Sequence, residues 1–272
     1  MNRKFVEIDG ARMSYVEQGS GFPVLLGHSY LWSADMWQPQ VEALSRHFRV
    51  IVPELWGHGE SDAPPAGTTD MTALARQHLA FLDALDIPRC HLVGLSVGGM
   101  WGAELAIEHP ERIDRLVLMD TYLGSEPDAS RDRYFGLLDA ASAAGSFTKE
   151  LLDIIVPIFF HRGGETVPEI REAFRAALQD MSAETIRTGI GPMGRIIFSR
   201  PDLLAGLASL PADRTIILCG DQDIPRPPEE ANEMARLVNC LAAQIPFAGH
   251  ISNLENPEAV SNFLVQWLPG NI

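Results

Sequence analysis

Short apolar runs, recurring between stretches of helical periodicity, constrain this chain more than any other feature of its sequence. They are Pro23-Val24-Leu25-Leu26, Arg49-Val50-Ile51-Val52, Cys90-His91-Leu92-Val93, Leu116-Val117-Leu118-Met119 and Thr215-Ile216-Ile217-Leu218-Cys219, with a weaker run from Leu241 to Phe247. A run this short and this uniformly apolar reads as a strand covered on both faces. Between the runs, Met71–Leu85, Val97–Glu108, Pro228–Val238 and Pro257–Leu268 carry apolar residues at helical spacing. Buried strands alternating with helices imply a parallel sheet with helices on both faces. At the front of the chain, Phe5–Ile8 and Met13–Glu17 alternate around Asp9-Gly10, the pattern of a hairpin with a tight turn. With that hairpin the sheet comes to eight strands.

The alternation is interrupted once. Residues 122–200 have helical periodicity and no convincing strand, after which the strand pattern resumes. The organisation expected is therefore an α/β core, residues 1–121 and 201–272, with a helical cap inserted at 122–200. The cap holds 11 acids and 9 bases, whereas the whole chain of 272 residues carries a net charge of −15. The negative charge thus lies on the core, and a surface of that sign repels phosphate backbones and anionic lipid. Nucleic-acid and membrane-surface roles are accordingly disfavoured. The ten-residue stretch LLDIIVPIFF, the most apolar in the chain, is broken by Asp153 and Pro157 and is too short to span a bilayer. The N-terminus has no apolar h-region of a signal peptide. Cys90, Cys219 and Cys240 show no framework spacing and read as reduced core thiols, which points to a cytoplasmic protein.

The sharpest chemical signal is Gly94-Leu95-Ser96-Val97-Gly98, a G-x-S-x-G placed between a strand and a helix. A chain that turns this sharply crowds the backbone around its central residue. Glycines two before and two after relieve the crowding, and the strained turn presents the Ser96 hydroxyl at the edge of the sheet. A serine nucleophile needs a base and an orienting acid, which follow it in the order acid, then His. Of the histidines downstream, His109 ends the elbow's own helix and His161 lies in the cap. His250 stands in a loop just past the last strand-like run, where a base would be delivered to the sheet's edge. Three carboxylates sit at strand ends, Asp120, Asp221 and Asp223, and position alone leaves the choice open. The oxyanion should be held by the Val97 N–H and by a second N–H from Gly27-His28-Ser29-Tyr30, where His28 reads as a loop-shaping residue. The sequence has no metal-ligand spacing and no phosphate-binding glycine loop, so neither a metal nor a cofactor is expected.

Further stretches carry a resemblance. Val52-Pro53-Glu54-Leu55-Trp56-Gly57-His58-Gly59-Glu60-Ser61-Asp62 resembles the P-D-x-x-G-x-G-x-S loop of the α/β-hydrolase superfamily, and His109-Pro110-Glu111-Arg112-Ile113 with Leu116-Val117-Leu118 resembles its approach to the sixth strand. The tail Gly249-His250-Ile251-Ser252-Asn253-Leu254-Glu255-Asn256-Pro257-Glu258 and the elbow itself are similar to the branch that holds 3-oxoadipate enol-lactonases, haloperoxidase-like perhydrolases, carboxylesterases and lactonases. The resemblance implies the α/β-hydrolase fold, a mostly parallel sheet flanked by helices. It assigns the acid to Asp223 and the oxyanion donors to Tyr30 and Val97. Two positions depart from the pattern: Ser29 stands where a Gly is usual, and Glu54 where an Asp is usual.

The function expected is hydrolysis of small-molecule carboxylic esters or lactones through an acyl-enzyme, with Ser96, Asp223 and His250 as catalytic residues. Trp32, Tyr122, Phe135 and Phe159 are expected to line the substrate pocket. A serine at the elbow excludes the alkyl-ester chemistry of dehalogenases and epoxide hydrolases. The competing readings are a cofactor-free perhydrolase, a C–C bond hydrolase on the same triad, or a slow-turnover ligand receptor. A dianionic enol-lactone would call for inward-facing cap arginines, for which Arg131, Arg133, Arg162 and Arg195 are available, each equally readable as part of a solvated helix face. The oligomeric state is left open, and a homo-oligomer is compatible with the sequence.

Overall fold

The computed structural model describes residues 1–161 and 167–269. All the strand-like runs enter one eight-stranded sheet in the order β1-β2-β4-β3-β5-β6-β7-β8. These strands are β1 (Arg3–Ile8), β2 (Ala11–Gln18), β3 (Pro23–Gly27), β4 (Arg49–Pro53), β5 (Cys90–Leu95), β6 (Ile113–Met119), β7 (Thr215–Gly220) and β8 (Leu241–Ile245). The β1–β2 and β2–β4 pairs are antiparallel and the rest parallel. Asp9 and Gly10 both have positive φ, 51° and 79°, as a two-residue turn between right-twisted strands requires. β5 and β7 are buried at every residue, which is why their sequences show no alternation. β8 lies at the edge and is largely exposed; it stops at Ile245, short of the expected end, because Pro246 follows and Phe247 takes a φ of 57°.

Helices fill the connections: α1 (Gln38–Leu44), α2 (Met71–Ala84), α3 (Val97–Glu108), α9 (Pro228–Val238), α10 (Ser252–Glu255) and α11 (Pro257–Trp267). Helix α3 packs on β3, β5 and β6 and against α2, while α1 packs on α11. Between β6 and β7 the described residues form no strand and instead five helices: α4 (Asp128–Ala144), α5 (Lys149–Ile155), α6 (Pro168–Gln179), α7 (Ala183–Thr185) and α8 (Gly191–Phe198). None of the described helices is long and apolar enough to cross a membrane.

Strand register decides what meets at the sheet's edge. Gly27 pairs with Gly94, Leu95 with Met119, and Gly220 with Ile245. The segments that follow these residues, from His28, Ser96, Asp120, Asp221 and Pro246 onward, therefore emerge side by side at the carboxyl ends of the strands. This is where open α/β sheets place their ligands.

Candidate active site

Ser96 sits at φ 56° and ψ −121°, a conformation that L side chains rarely adopt and that persists only where the surroundings impose it. Two glycines make the turn sterically accessible. A Cβ on Gly94 would stand 2.3 Å from the Gly98 carbonyl oxygen, and one on Gly98 the same 2.3 Å from that of Gly27. The Ser96 N–H donates to the Met119 carbonyl at 2.9 Å, fixing the elbow to β6.

His250 arrives from the loop after β8, its own N–H donating to the Phe159 carbonyl at 3.0 Å. Its Nε2 lies 2.9 Å from Ser96 Oγ, and its Nδ1 lies 2.9 and 3.2 Å from the two oxygens of Asp223. An acceptor at Nδ1 places the proton there and leaves Nε2 to accept from the serine hydroxyl. All three side chains are buried. The neighbouring Gly249 N–H donates at 2.6 Å to Glu255, whose other oxygen accepts from His161 Nδ1 at 2.8 Å, so His161 and Glu255 brace the histidine loop.

The other two carboxylates at the strand ends have different partners. Asp221 accepts from the Ala248 N–H at 3.2 Å. Asp120 accepts from the Gly220 N–H at 2.7 Å and from Ser252 Oγ at 2.5 Å. Burial first, and then the nearby charge of Asp223, push the Asp120 carboxyl well above the usual carboxylate range. Donor atoms of Asp120, Cys219 and Asp223 come within 4.8 Å of one another. Hydrogen bonds already occupy both carboxylates, including the Arg226 N–H on Asp223 Oδ1 at 3.0 Å, so this cluster is a buried network rather than an open set of metal ligands.

The loop after β3 is held by His28, which donates from Nδ1 to the Ser29 carbonyl at 2.8 Å and accepts the Leu55 N–H at Nε2 at 2.9 Å. Burial holds His28 below its ordinary range, in keeping with a neutral ring that bridges backbone groups. The Ser29 N–H points at Met36 Sδ, 3.3 Å away, and the Leu31 N–H at His58 Nε2, 3.1 Å away. The N–H groups of Tyr30 and of Val97, the first residue of α3, have no hydrogen-bond partner among the described residues. The Tyr30 hydroxyl donates to the Ile190 carbonyl of the inserted segment at 2.7 Å, which anchors the loop.

A cavity of about 90 Å³ opens beside Ser96, lined by Ser29, Tyr30 and His250 from the core and mainly by apolar side chains of the inserted segment. Of the four aromatic residues expected in the pocket, Phe159 lines this cavity. The other three lie elsewhere. Trp32 stacks on Phe174 at 4.2 Å, Tyr122 donates its hydroxyl to Glu233 at 2.7 Å, and Phe135 lies under Arg195 at 4.9 Å. Nor do Arg131, Arg133 and Arg195, the described ones among the anticipated arginines, line it. Arg131 pairs with Asp128 at 2.9 Å, Arg195 pairs with Asp139, Arg133 is exposed, and Arg162 lies outside the described residues. Their places in the wall belong to Arg200, Arg226 and Glu126, which sequence reasoning did not single out. Ser29, which stands where a Gly is usual, has its hydroxyl buried at the cavity wall with no hydrogen-bond partner among the described residues.

A serine at a strained strand-to-helix turn, with a histidine and an acid from later strand ends, is the architecture of hydrolases built on a parallel α/β sheet. The chain belongs to the alpha/beta hydrolase fold family, which it matches over residues 23–257. Its structure is similar to that of a thermophilic esterase from Thermogutta terrifontis with malate bound, at a TM-score of 0.86 and 27% identity, covering 99% of this chain and 98% of that one. The enol-lactonase from Burkholderia xenovorans LB400 matches at a TM-score of 0.84 and 26% identity, covering 98% of this chain and 100% of that one. RutD of Pantoea ananatis, whose name proposes a carbamate hydrolase, is 28% identical over 249 residues, which is 90% of this chain and 87% of that protein.

Proposed function

We propose that the chain is a serine hydrolase of small carboxylic esters or lactones, with Ser96 as nucleophile, His250 as general base and Asp223 as the acid that orients it. One observation carries the reading: Ser96 Oγ, His250 Nε2 and Nδ1, and Asp223 Oδ2 form a continuous chain of contacts at 2.9 Å each. In the first half-reaction Ser96 Oγ attacks the carbonyl carbon and its proton passes to His250 Nε2. The Val97 and Tyr30 N–H groups receive the oxyanion, and their want of another partner supports that role. Collapse of the intermediate expels the alkoxide, which takes the proton from His250. Water then repeats the sequence on the acyl-enzyme with His250 again as base. A lactone follows the same path, its alcohol remaining tethered to the acid.

Residues 122–200 act as a cap that selects the substrate. The small cavity volume and mainly apolar wall favour a short acyl group.

The test is hydrolysis of a p-nitrophenyl ester series, acetate to decanoate, alongside simple lactones, by the wild type and Ser96→Ala. Turnover of short esters or lactones that disappears in the mutant is the expected result. Activity retained by Ser96→Ala would refute the mechanism, and a long-chain optimum would refute the small pocket.

A further inference from the structure

The Ser96 cavity contains a buried group of charges that hydrolysis itself does not use. Glu126 precedes α4, Arg200 follows α8, and Arg226 lies in the loop between Asp223 and α9; all three line the cavity with Ser96 and His250. Arg226 Nη2 donates to both oxygens of Glu126 at 2.9 Å, and Arg200 Nη1 donates to Oε2 at 3.1 Å and to the Ile197 carbonyl at 3.1 Å. The side chains of Arg200, Glu126 and Arg226 are 2%, 2% and 8% exposed.

The group is incomplete in two respects. Arg200 Nε and Nη2 and Arg226 Nη1 are buried donors with no acceptor. Two guanidinium groups also share one hydrogen-bonded carboxylate, Glu126. Glu230 does not close the gap: its Oε2 is 3.6 Å from Arg226 Nη1, and burial pushes its carboxyl up to about 7. Arg200 is held below its ordinary range by burial and then by the charge of Arg226. Each unmet charged donor carries the full cost of its lost hydration, and an uncompensated buried charge costs more. One added negative charge with planar, bidentate acceptors would answer both deficits, and that is the chemistry of a carboxylate. A doubly charged phosphate would overshoot the balance.

We propose that Arg200 and Arg226 form a carboxylate-binding subsite in the wall of the Ser96 cavity, and that the chain acts on esters or lactones whose acyl part bears a free carboxylate. This rests on the serine-hydrolase reading above. Glu126 holds the two guanidinium groups in place, and the substrate carboxylate takes the donors that Glu126 leaves unmet. Since Glu126 and Arg200 stand at the two ends of the inserted segment, a bound substrate would also join the base of the cap to the loop that carries Asp223.

The experiment compares monomethyl succinate with methyl butanoate, matched in acyl length, as substrates for the wild type, Arg200→Gln, Arg200→Lys and Arg226→Gln. Calorimetric titration of succinate into the same proteins reads the subsite without turnover. Loss of one charge-assisted contact should raise KM for the succinate ester about ten- to hundredfold more than for the butanoate ester. Arg200→Lys, which keeps the charge but not the fork, should fall between. Succinate affinity should drop in parallel. If both esters lose activity equally, or if the wild type shows no preference for the succinate ester and does not bind succinate, the arginines are only a structural clamp and the proposal is overturned. Succinate binding that depends on Arg200, in a protein that hydrolyses neither ester, would uphold the subsite and overturn the hydrolase reading instead.

Discussion

Replacing Asp223 by Asn tests the acid assignment at nearly constant shape. Asp223 Oδ1 accepts the Arg226 N–H at 3.0 Å, and a backbone N–H can only donate. The amide oxygen of Asn must therefore take the Oδ1 position, which leaves its NH₂ where Oδ2 now lies, 2.9 Å from His250 Nδ1. Two donors cannot face each other there, so His250 must accept at Nδ1 and carry its proton on Nε2. In that tautomer it cannot take the proton of Ser96. Loss of the working tautomer lowers kcat by about 10⁴, or roughly 5.5 kcal/mol of transition-state stabilisation at 1.36 kcal/mol per factor of ten. KM should change little, because Asp223 is buried behind His250 rather than in the cavity wall. Asp120→Asn is the control. Burial and the charge of Asp223 raise its pKa, a direction that disfavours the charged form, so a neutral amide is expected to be tolerated there better than at Asp223. The assay is steady-state hydrolysis of a short p-nitrophenyl ester at pH 7 to 8. Asp223→Asn within tenfold of the wild type, or Asp120→Asn as damaged as Asp223→Asn, would refute the assignment.

Two further predictions concern the frame. In Gly98→Ala the new Cβ would stand 2.3 Å from the Gly27 oxygen and 2.4 Å from its carbon, both rigid backbone, so α3 must move off β3. A loss of about 2–3 kcal/mol of stability, with a fall in kcat as the Val97 and Tyr30 N–H groups separate, is expected in denaturant unfolding and ester kinetics, and a neutral effect would count against this packing. His58 is buried, and burial followed by the proximity of His28 lowers its pKa to about 3. The unfolded chain binds this proton below about 6.5 and the folded one does not, so stability is full above that pH and falls as pH drops from 6.5 toward 3. Asp120, with its raised pKa, works in the opposite direction, so the informative quantity is the difference made by His58→Gln. That variant should flatten the urea-derived stability slope below pH 6.5 by up to about 1.4 kcal/mol per pH unit, and an unchanged slope would show that His58 takes up its proton in the folded state.

What the sequence disclosed and what it withheld divide along one physical line. Strands covered on both faces carry continuous apolar runs, so β3 to β7 stand out without any knowledge of their neighbours. The elbow is equally local: the conformation of Ser96 requires Gly94 and Gly98 within two residues, and His250 follows from its place beyond the last strand. Helix α1 went unread because its seven residues, opening on Gln38-Pro39, are too few to show a period. By position the acid was legible only as a choice among three, which the family resemblance narrowed to Asp223, since Asp120, Asp221 and Asp223 all follow strand ends and differ in which donors reach them across the sheet. Arg200 and Arg226 lie beyond even that. They are 26 residues apart, on opposite sides of β7, and neither is distinguishable in sequence from Arg131 or Arg195, which the structure pairs with acids at the surface. Their buried state depends on Glu126, further away still, and their unmet donors depend on Glu230 being too distant from Arg226 to complete the pairing. The residues proposed as nucleophile and base are thus fixed by local backbone demands. On the proposed reading, substrate choice instead depends on a balance of charges that arises only when both ends of the inserted segment close against the loop after β7. The carboxylate subsite should therefore respond to changes at residues 126, 200 and 226 that leave the elbow's own geometry untouched.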